Sequence, residues 1–517
     1  MLKLTRIPAI FIAGAVSGLA YPRFDIWPLI FVSVTAILLL LKGIGWRYGL
    51  LLGFTAGQGF YLSQIYWISN YLGPVPLIAL TTLQALYFMV FGALMAILWR
   101  NDWLSRMRQR NLGKLLVAAA FASMWLAREF VAINLPYGGF PWSRLAMSQA
   151  HSPLADWVYW GGQPLLGFVI ALSASLLAIT VSGKKLSDLR LPDFTLPASL
   201  AVVLFAVPLA TMPSTAAERG TITLAVVQGN AKAGLFANTV RGQIMQNHMN
   251  ATKLAGSLDE VDLVVWPENA ADVMPLNTAD GRALMTTFVD DVIKKPLLFG
   301  TITSRGESAF NTSVLWLPGV GPTDFYDKKR PVAFAEYVPD RAFWRQFAPD
   351  LIDLIQRGYS MGEQDPIFNV SAKDADSGKA IVGVNICFEI AVDSLHRDAV
   401  ARGAEILISQ TNNADFGFSD ETFQQAAIAK LRAIETGRVM VNDSTVGLTA
   451  VFMPDGTEAM KLPVFEPAAK TVTLPLRTSL TPAHFTAEPL EWVFNLATIG
   501  LFGFLAFRRL KKSGSGS

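Results

Sequence analysis

Three polar residues each close an apolar run at a point where the chain would turn. Glu268 follows Leu-Val-Val-Trp-Pro, Lys328 follows Phe-Tyr-Asp, and Cys387 follows Val-Gly-Val-Asn-Ile. In layered α/β folds, groups at strand carboxyl ends converge on one crevice. A thiol beside a carboxylate and an ammonium is a nucleophile with a base and a cationic partner for an oxyanion. Taken singly, each residue also has a plainer reading. A free cysteine is more often a small buried hydrophobe, Glu268 a helix cap or surface acid, and Lys328 beside Lys329 part of a solvated face.

The elements that must position these residues start near Thr221, where short β-branched runs begin to alternate with helical periodicity. Strands are expected over about 222–227, 263–266, 297–302, 311–317, 380–386, 405–409, 439–441, 448–452 and 471–476. Helices are expected over about 238–257, 279–294 and 420–436, with a further helix after Cys387 and a tight turn at Asp455-Gly456. This pattern predicts an α/β or α+β layered domain whose sheets are covered by helices. No internal repeat or low-complexity tract is visible.

The rest of the chain has a different composition. Over all 517 residues, apolar types make up 52% and charged types 16%, against about 25% charged in an ordinary soluble domain. The mean hydropathy is +0.37. These values exclude disorder and call for lipid-facing surface. A net charge of +3 gives no reason to expect nucleic acid, and one cysteine permits neither an internal disulfide nor a cysteine metal cage. The four histidines are scattered without ligand spacing, and no phosphate-cradling glycine loop is present.

Eight apolar stretches, at about 7–21, 26–41, 48–68, 75–99, 115–132, 157–182, 194–212 and 489–507, read as membrane spans, the first two short. Basic residues flanking spans stay cytoplasmic. With the N-terminus inside, sixteen lysines and arginines fall in inside segments and only Arg23 and Arg144 in outside loops, leaving aside the large domain. Both termini are therefore expected in the cytoplasm and the domain between the last two spans outside. The first apolar segment lacks a cleavage site before Tyr21-Pro22 and reads as retained. The expected organisation is spans one to seven over 1–213, a catalytic domain over 214–486, and the eighth span with its tail over 487–512. Residues 513–517 read as a cloning remnant. Arg128 and Glu129, near the outer end of the fifth span, read as a mutual structural pair.

Taken together, the strings match a known pattern. Trp266-Pro267-Glu268-Asn269, Tyr326-Asp327-Lys328, Phe334-Ala335-Glu336-Tyr337-Val338-Pro339 and Asn385-Ile386-Cys387-Phe388-Glu389 resemble, in order and spacing, the Glu–Lys–Cys signature of the nitrilase superfamily. Gln228-Gly229-Asn230, Gln410-Thr411-Asn412-Asn413 and Arg432-Ala433-Ile434-Glu435-Thr436-Gly437-Arg438 sit where that superfamily has similar strings. With the spans and the outside-loop string Gly139-Phe140-Pro141-Trp142, nearly the whole chain resembles the apolipoprotein N-acyltransferase family, whose members add the third acyl chain to bacterial lipoproteins.

The resemblance implies a polytopic α-helical membrane domain plus an extracytoplasmic nitrilase-like αββα sandwich. It implies ping-pong acyl transfer without a cofactor or metal. Glu268 is the base, Cys387 the nucleophile, and Lys328 with the backbone N–H of Phe388 stabilises the oxyanion, while Glu336 supports the triad. Glu389, Asn311, Phe236, Trp142 and Arg345 are its candidate substrate-binding or supporting residues, Arg345 as a phosphate contact. Aromatic residues of the 330–365 segment, such as Phe334, Phe343, Trp344 and Phe347, are candidates for a lid. The donor would be a membrane glycerophospholipid, the acceptors diacylated apolipoproteins, the setting the inner membrane of a bacterium, and the enzyme a monomer with no nucleic-acid partner.

This chain departs from the family at Pro331-Val332-Ala333-Phe334-Ala335-Glu336, where Leu-Val-Pro-Phe-Gly-Glu is usual. It also departs at Phe388 (commonly tyrosine), Phe236 (tryptophan in well-known members) and Asn412-Asn413-Ala414-Asp415-Phe416. These positions bear on substrate preference more than on reaction type. A membrane-tethered nitrilase-type amidase is the alternative, disfavoured because one tether would serve it. A transporter would need ionisable or broken-helix positions in several spans.

Overall fold

The computed structural model describes residues 5–514 apart from 211–212, 235–236 and 356–357. The chain divides into two compact units. One comprises Met1–Ser69, Pro74–Met212 and Pro482–Ser517, and the other Asn70–Gly73 and Pro213–Thr481.

The first unit is helical. Its main helices are Arg6–Ala15, Leu29–Leu40, Trp46–Ile65, Pro74–Arg100, Asn111–Asn134, Trp157–Val181, Thr195–Ala210 and Pro482–Gly514. Among the described residues, five helical segments are long and apolar enough to cross a membrane: Pro74–Arg100, Asn111–Asn134, Trp157–Val181, Leu191–Leu209 and Pro482–Lys511. The helical stretches Arg6–Ala20 and Leu29–Leu40 are apolar but short, as their sequence indicates. Trp46–Ile65 has 20 residues, but its glycines, glutamines and serine dilute its hydropathy. Those glycines have a packing role. A Cβ on Gly53 would stand 2.2 Å from the Phe88 carbonyl oxygen, and one on Gly92 2.4 Å from that of Gly49. Helices Trp46–Ile65 and Pro74–Arg100 therefore meet backbone to backbone, the small-residue packing that serves where hydrophobicity cannot drive association. Arg128 and Glu129 are both buried here and stand 3.9 Å apart. Arg128 donates to the Tyr61 hydroxyl at 3.0 Å, and Glu129 accepts from the Leu145 N–H at 2.9 Å.

Among the described residues the second unit carries twelve strands: β1 Thr221–Gln228, β2 Leu263–Val265, β3 Leu297–Arg305, β4 Ser308–Leu317, β5 Gly321–Asp327, β6 Ile367–Ser371, β7 Lys379–Ile386, β8 Ile406–Thr411, β9 Met440–Ser444, β10 Ala450–Phe452, β11 Glu458–Lys461 and β12 Ala468–Pro475. They form two six-stranded sheets, ordered β12-β1-β2-β3-β4-β5 and β11-β10-β9-β8-β7-β6. In each, three parallel strands (β1-β2-β3 or β7-β8-β9) continue into an antiparallel pair, and a sixth antiparallel strand covers the opposite flank. The topology is thus repeated, though the sequence shows no repeat: a pleated sheet demands alternation of apolar side chains, not particular residues.

The two sheets pack face to face. Leu224, Val226, Leu263 and Val265 from one share a core with Val382, Val384, Ile406 and Ile408 from the other. The alternate residues Ala225, Val227 and Val264 point to a second core with Met245, Met285 and Phe288, contributed by the helical segments Gln243–Thr252, Ala279–Thr287 and Phe288–Ile293. Burial on both faces explains why β1 and β2 read as unbroken apolar runs. The unit is an α/β sandwich with helices outside.

Candidate active site

Glu268 lies three residues past β2, on a loop held against β3. The Gly300 N–H donates to the Pro267 carbonyl at 3.1 Å, and the Ala271 N–H to the Gly300 carbonyl at 3.1 Å. Across the sandwich, Gln410 donates to the Trp266 carbonyl at 2.6 Å and Thr445 to the Glu268 carbonyl at 2.7 Å. The loop therefore has little freedom to move the carboxyl group, which is buried.

Lys328 follows β5 directly. Its N–H donates to the Asn311 carbonyl at 2.8 Å, continuing the ladder to β4. Its ammonium sits 2.9 Å from Glu336 and 3.5 Å from Glu268. The Asn311 amide donates to Glu268 at 2.6 Å and to Glu336 at 3.1 Å, so one side chain spaces the two acids. Glu336 also accepts from the Val332 N–H at 2.7 Å, within a tight 332–337 turn in which Phe334 takes φ +63°.

Cys387 ends β7 at the start of a short helix, Cys387–Ala391. Its φ is +54°, a left-handed conformation that non-glycine residues adopt at a cost and that recurs at functional sites. The thiol is half-buried, and the charges of both Glu268 and Lys328 act on it. Glu389, fully buried, accepts from the N–H of Ile386 at 2.8 Å, of Lys329 at 2.8 Å and of Arg330 at 3.0 Å, and from the Tyr326 hydroxyl at 3.0 Å. It thereby ties the residue before Cys387 to the residues after Lys328.

The charges follow from this geometry. Burial, and next the Glu268 charge, push the Cys387 thiol well above its ordinary value, against the pull of Lys328. Burial also raises Glu268, with Lys328 opposing. For Lys328 burial works against the charge, but Glu336, Glu268 and Cys387 together hold it well above the usual lysine range. The resting arrangement is a protonated thiol, a buried carboxylate with raised proton affinity whose charge acts on it, and a cation alongside. A proton can pass from sulfur to Glu268 while Lys328 remains charged for an oxyanion.

Of the other residues singled out in the sequence, Phe388 follows Cys387 in the same short helix. Arg345 is exposed and forms a two-point pair with Asp353 at 3.0 and 2.8 Å. Trp142 is buried in the helical unit, its ring 5.8 Å from that of Trp67. Phe334 and Phe343 both pack edge-on to Trp344, and Phe347 is exposed beside them. Phe236 lies outside the described residues. Sequence reasoning did not find Gly300, where a Cβ would come within 2.6 Å of the Glu268 Cα, or Glu421, a buried acid whose charge acts on Cys387. It named Asn311 without its bridging position.

Comparison with known proteins agrees with this architecture. Residues 223–478 match the carbon-nitrogen hydrolase family model, which defines the class of the sandwich unit. Residues 13–176 match the N-terminal domain model of apolipoprotein N-acyltransferase. The apolipoprotein N-acyltransferase of Mycolicibacterium smegmatis is 31% identical over 495 residues, covering 89% of this chain and 77% of that protein. That of Azotobacter vinelandii is 30% identical over 530 residues, covering 98% and 95%. An amidase from Nesterenkonia sp. of solved structure is 20% identical, with a TM-score of 0.38, covering 51% of this chain and 95% of its own. The chain belongs to the apolipoprotein N-acyltransferase family.

Proposed function

We propose that the protein moves an acyl chain from a membrane glycerophospholipid, through a thioester on Cys387, to the α-amino group of the N-terminal S-diacylglyceryl-cysteine of apolipoproteins. The observation that carries the mechanism is the buried pair of Glu268 and Lys328, 3.5 Å apart, whose charges both act on the Cys387 thiol. Glu268 takes the thiol proton, and sulfur attacks the ester carbonyl. Lys328 and the Phe388 N–H hold the oxyanion, a service worth about 3–4 kcal/mol per donor. Glu268 returns the proton to the departing lysophospholipid alkoxide. Glu336 and Asn311 keep base and cation apart and in place.

A helical membrane unit suits such substrates. Drawing an acyl chain out of lipid costs about 0.8 kcal/mol per methylene, and an enzyme anchored in the bilayer avoids that extraction. In this reading eight spans cross the inner membrane of a bacterium, with both termini cytoplasmic and the sandwich unit outside. The sixteen-to-two distribution of basic residues supports that orientation.

The test is the intact mass of the purified protein after incubation with dioleoyl phosphatidylethanolamine vesicles. An oleoyl adduct on the protein, absent from Cys387→Ala, is expected. An unmodified protein, or an adduct that survives Cys387→Ala, would overturn the thioester mechanism.

A further inference from the structure

The second half of such a reaction has a proton to spare. The acceptor arrives as an ammonium, since an α-amino group has a pKa of about 7.7–8.0. It must lose one proton before nitrogen can attack the thioester carbonyl. A second proton leaves nitrogen as the C–N bond forms and the C–S bond breaks. Glu268 can carry that second proton to the departing thiolate, restoring the thiol. It cannot hold the first as well, because one carboxylate takes one proton at a time.

Glu421 is placed to take the other proton. It opens the helix Glu421–Thr436, is 2% exposed, and is joined to the Glu268 loop through Asn413 and Ser444, next to Thr445, whose hydroxyl donates to the Glu268 carbonyl at 2.7 Å. Among the described residues its carboxylate accepts one side-chain hydrogen bond, from Asn413, and pairs with no lysine or arginine. Asn413 is fixed in turn by Gln425 at 2.6 Å and Ser444 at 2.5 Å. A buried acid with a single donor and no cation is costly to keep for structure alone. We propose that Glu421 is a second base of this site: it receives the first proton from the acceptor's ammonium and passes it to solvent, leaving Glu268 free to reprotonate Cys387.

Its proton affinity fits the task. Burial, and then the Glu268 charge, push its pKa up to about 8, with Asn413 pulling the other way. A base matched to the group it deprotonates transfers the proton with little free-energy change. The ionisable groups acting on it are Glu268 and Cys387. Asp415, on the preceding turn, and Asp443, on β9, are both raised by burial.

This inference rests on the proposed acyl transfer, and the experiment separates the two. Glu421→Gln keeps the shape and an acceptor for Asn413. Thioester formation from dioleoyl phosphatidylethanolamine, which needs no second base, should be affected far less than transfer. Transfer from the preformed thioester to a synthetic S-diacylglyceryl-cysteinyl peptide should fall by about a hundredfold or more at pH 7, the usual size of acid–base assistance. The deficit should shrink as pH rises past 9, where the amine is already neutral. Equal losses in both half-reactions, or a transfer deficit independent of pH, would show that Glu421 only holds the fold. Unchanged transfer at pH 7 would equally overturn its role. Absence of any thioester in the unmodified enzyme would remove the acyl-transfer reading itself, and this proposal with it.

Discussion

Gly300 and Glu268 meet so closely that a Cβ on the glycine would lie 2.6 Å from the Glu268 Cα and 2.7 Å from the Pro267 carbonyl oxygen. No L side chain fits there without moving the loop that carries the base. Backbone of β3 thus sets the height of the carboxylate over Cys387, through the paired bonds of Gly300 to Pro267 and Ala271.

Gly300→Ala should therefore affect chemistry more than its single methyl suggests. Overpacking of this kind costs about 1–3 kcal/mol, which a domain of this size can survive. Displacing a base by even a fraction of an ångström should slow acylation of Cys387 by at least about tenfold. Acylation rates and thermal unfolding measured side by side check this. A destabilised variant with unchanged acylation would mean that the loop relaxes around the methyl.

Glu268→Gln and Lys328→Met should part company as pH rises. The Glu268 charge is the second cause, after burial, of the raised thiol. Its removal makes thiolate easier to form, while Lys328 still favours it. Acylation by Glu268→Gln should be slowed strongly at pH 7 and recover partly in alkali. Lys328→Met loses the cation that both favours thiolate and holds the oxyanion. No pH restores that charge, so a loss of about a hundredfold or more should persist. A single-turnover pH series decides the point; alkaline rescue of Lys328→Met alone would mean the two roles are exchanged.

Glu389→Gln tests the tie between β7 and the Lys328 loop. Three backbone N–H groups and the Tyr326 hydroxyl converge on this carboxylate. An amide must turn an NH2 toward some of those donors, leaving buried groups unpaired at about 1–3 kcal/mol. Lower thermal stability and slower acylation are both expected, with Cys387 still the site of the adduct. Full stability would mean that the amide finds acceptors elsewhere.

What the sequence made legible is what depends on local pattern. β1, β2, β7 and β8 are runs rich in β-branched and aliphatic residues, and Glu268 and Cys387 stand out where β2 and β7 end. β5, β6 and β11 gave no such signal. In β11 one residue of four is buried, and the middle of β5 is exposed. Gly300, Glu421 and the bridging position of Asn311 escaped for a different reason. Each acts through a neighbour far away in the chain, and only the register of β3 on β4 and the packing of the two sheets bring those neighbours together. The membrane reading has the same limit. Long apolar helices can be counted from composition, whereas the glycine-lined contact between Trp46–Ile65 and Pro74–Arg100 explains a less apolar helix only once both are seen.

Orientation in the membrane can be tested with single cysteines, because Cys387 is the only native one. In a Cys387→Ala background, Ser187→Cys lies in an exposed stretch beside Lys184 and Lys185. Ser308→Cys begins β4 of the sandwich unit. Basic residues near span ends resist translocation, so Ser187→Cys should react with a membrane-impermeant maleimide only after the inner membrane is opened. Ser308→Cys should react in cells whose inner membrane is intact. Thermal unfolding of both variants checks that neither substitution perturbs its unit. Labelling of Ser187→Cys in intact cells, with Ser308→Cys protected, would invert the orientation and put the site in the cytoplasm.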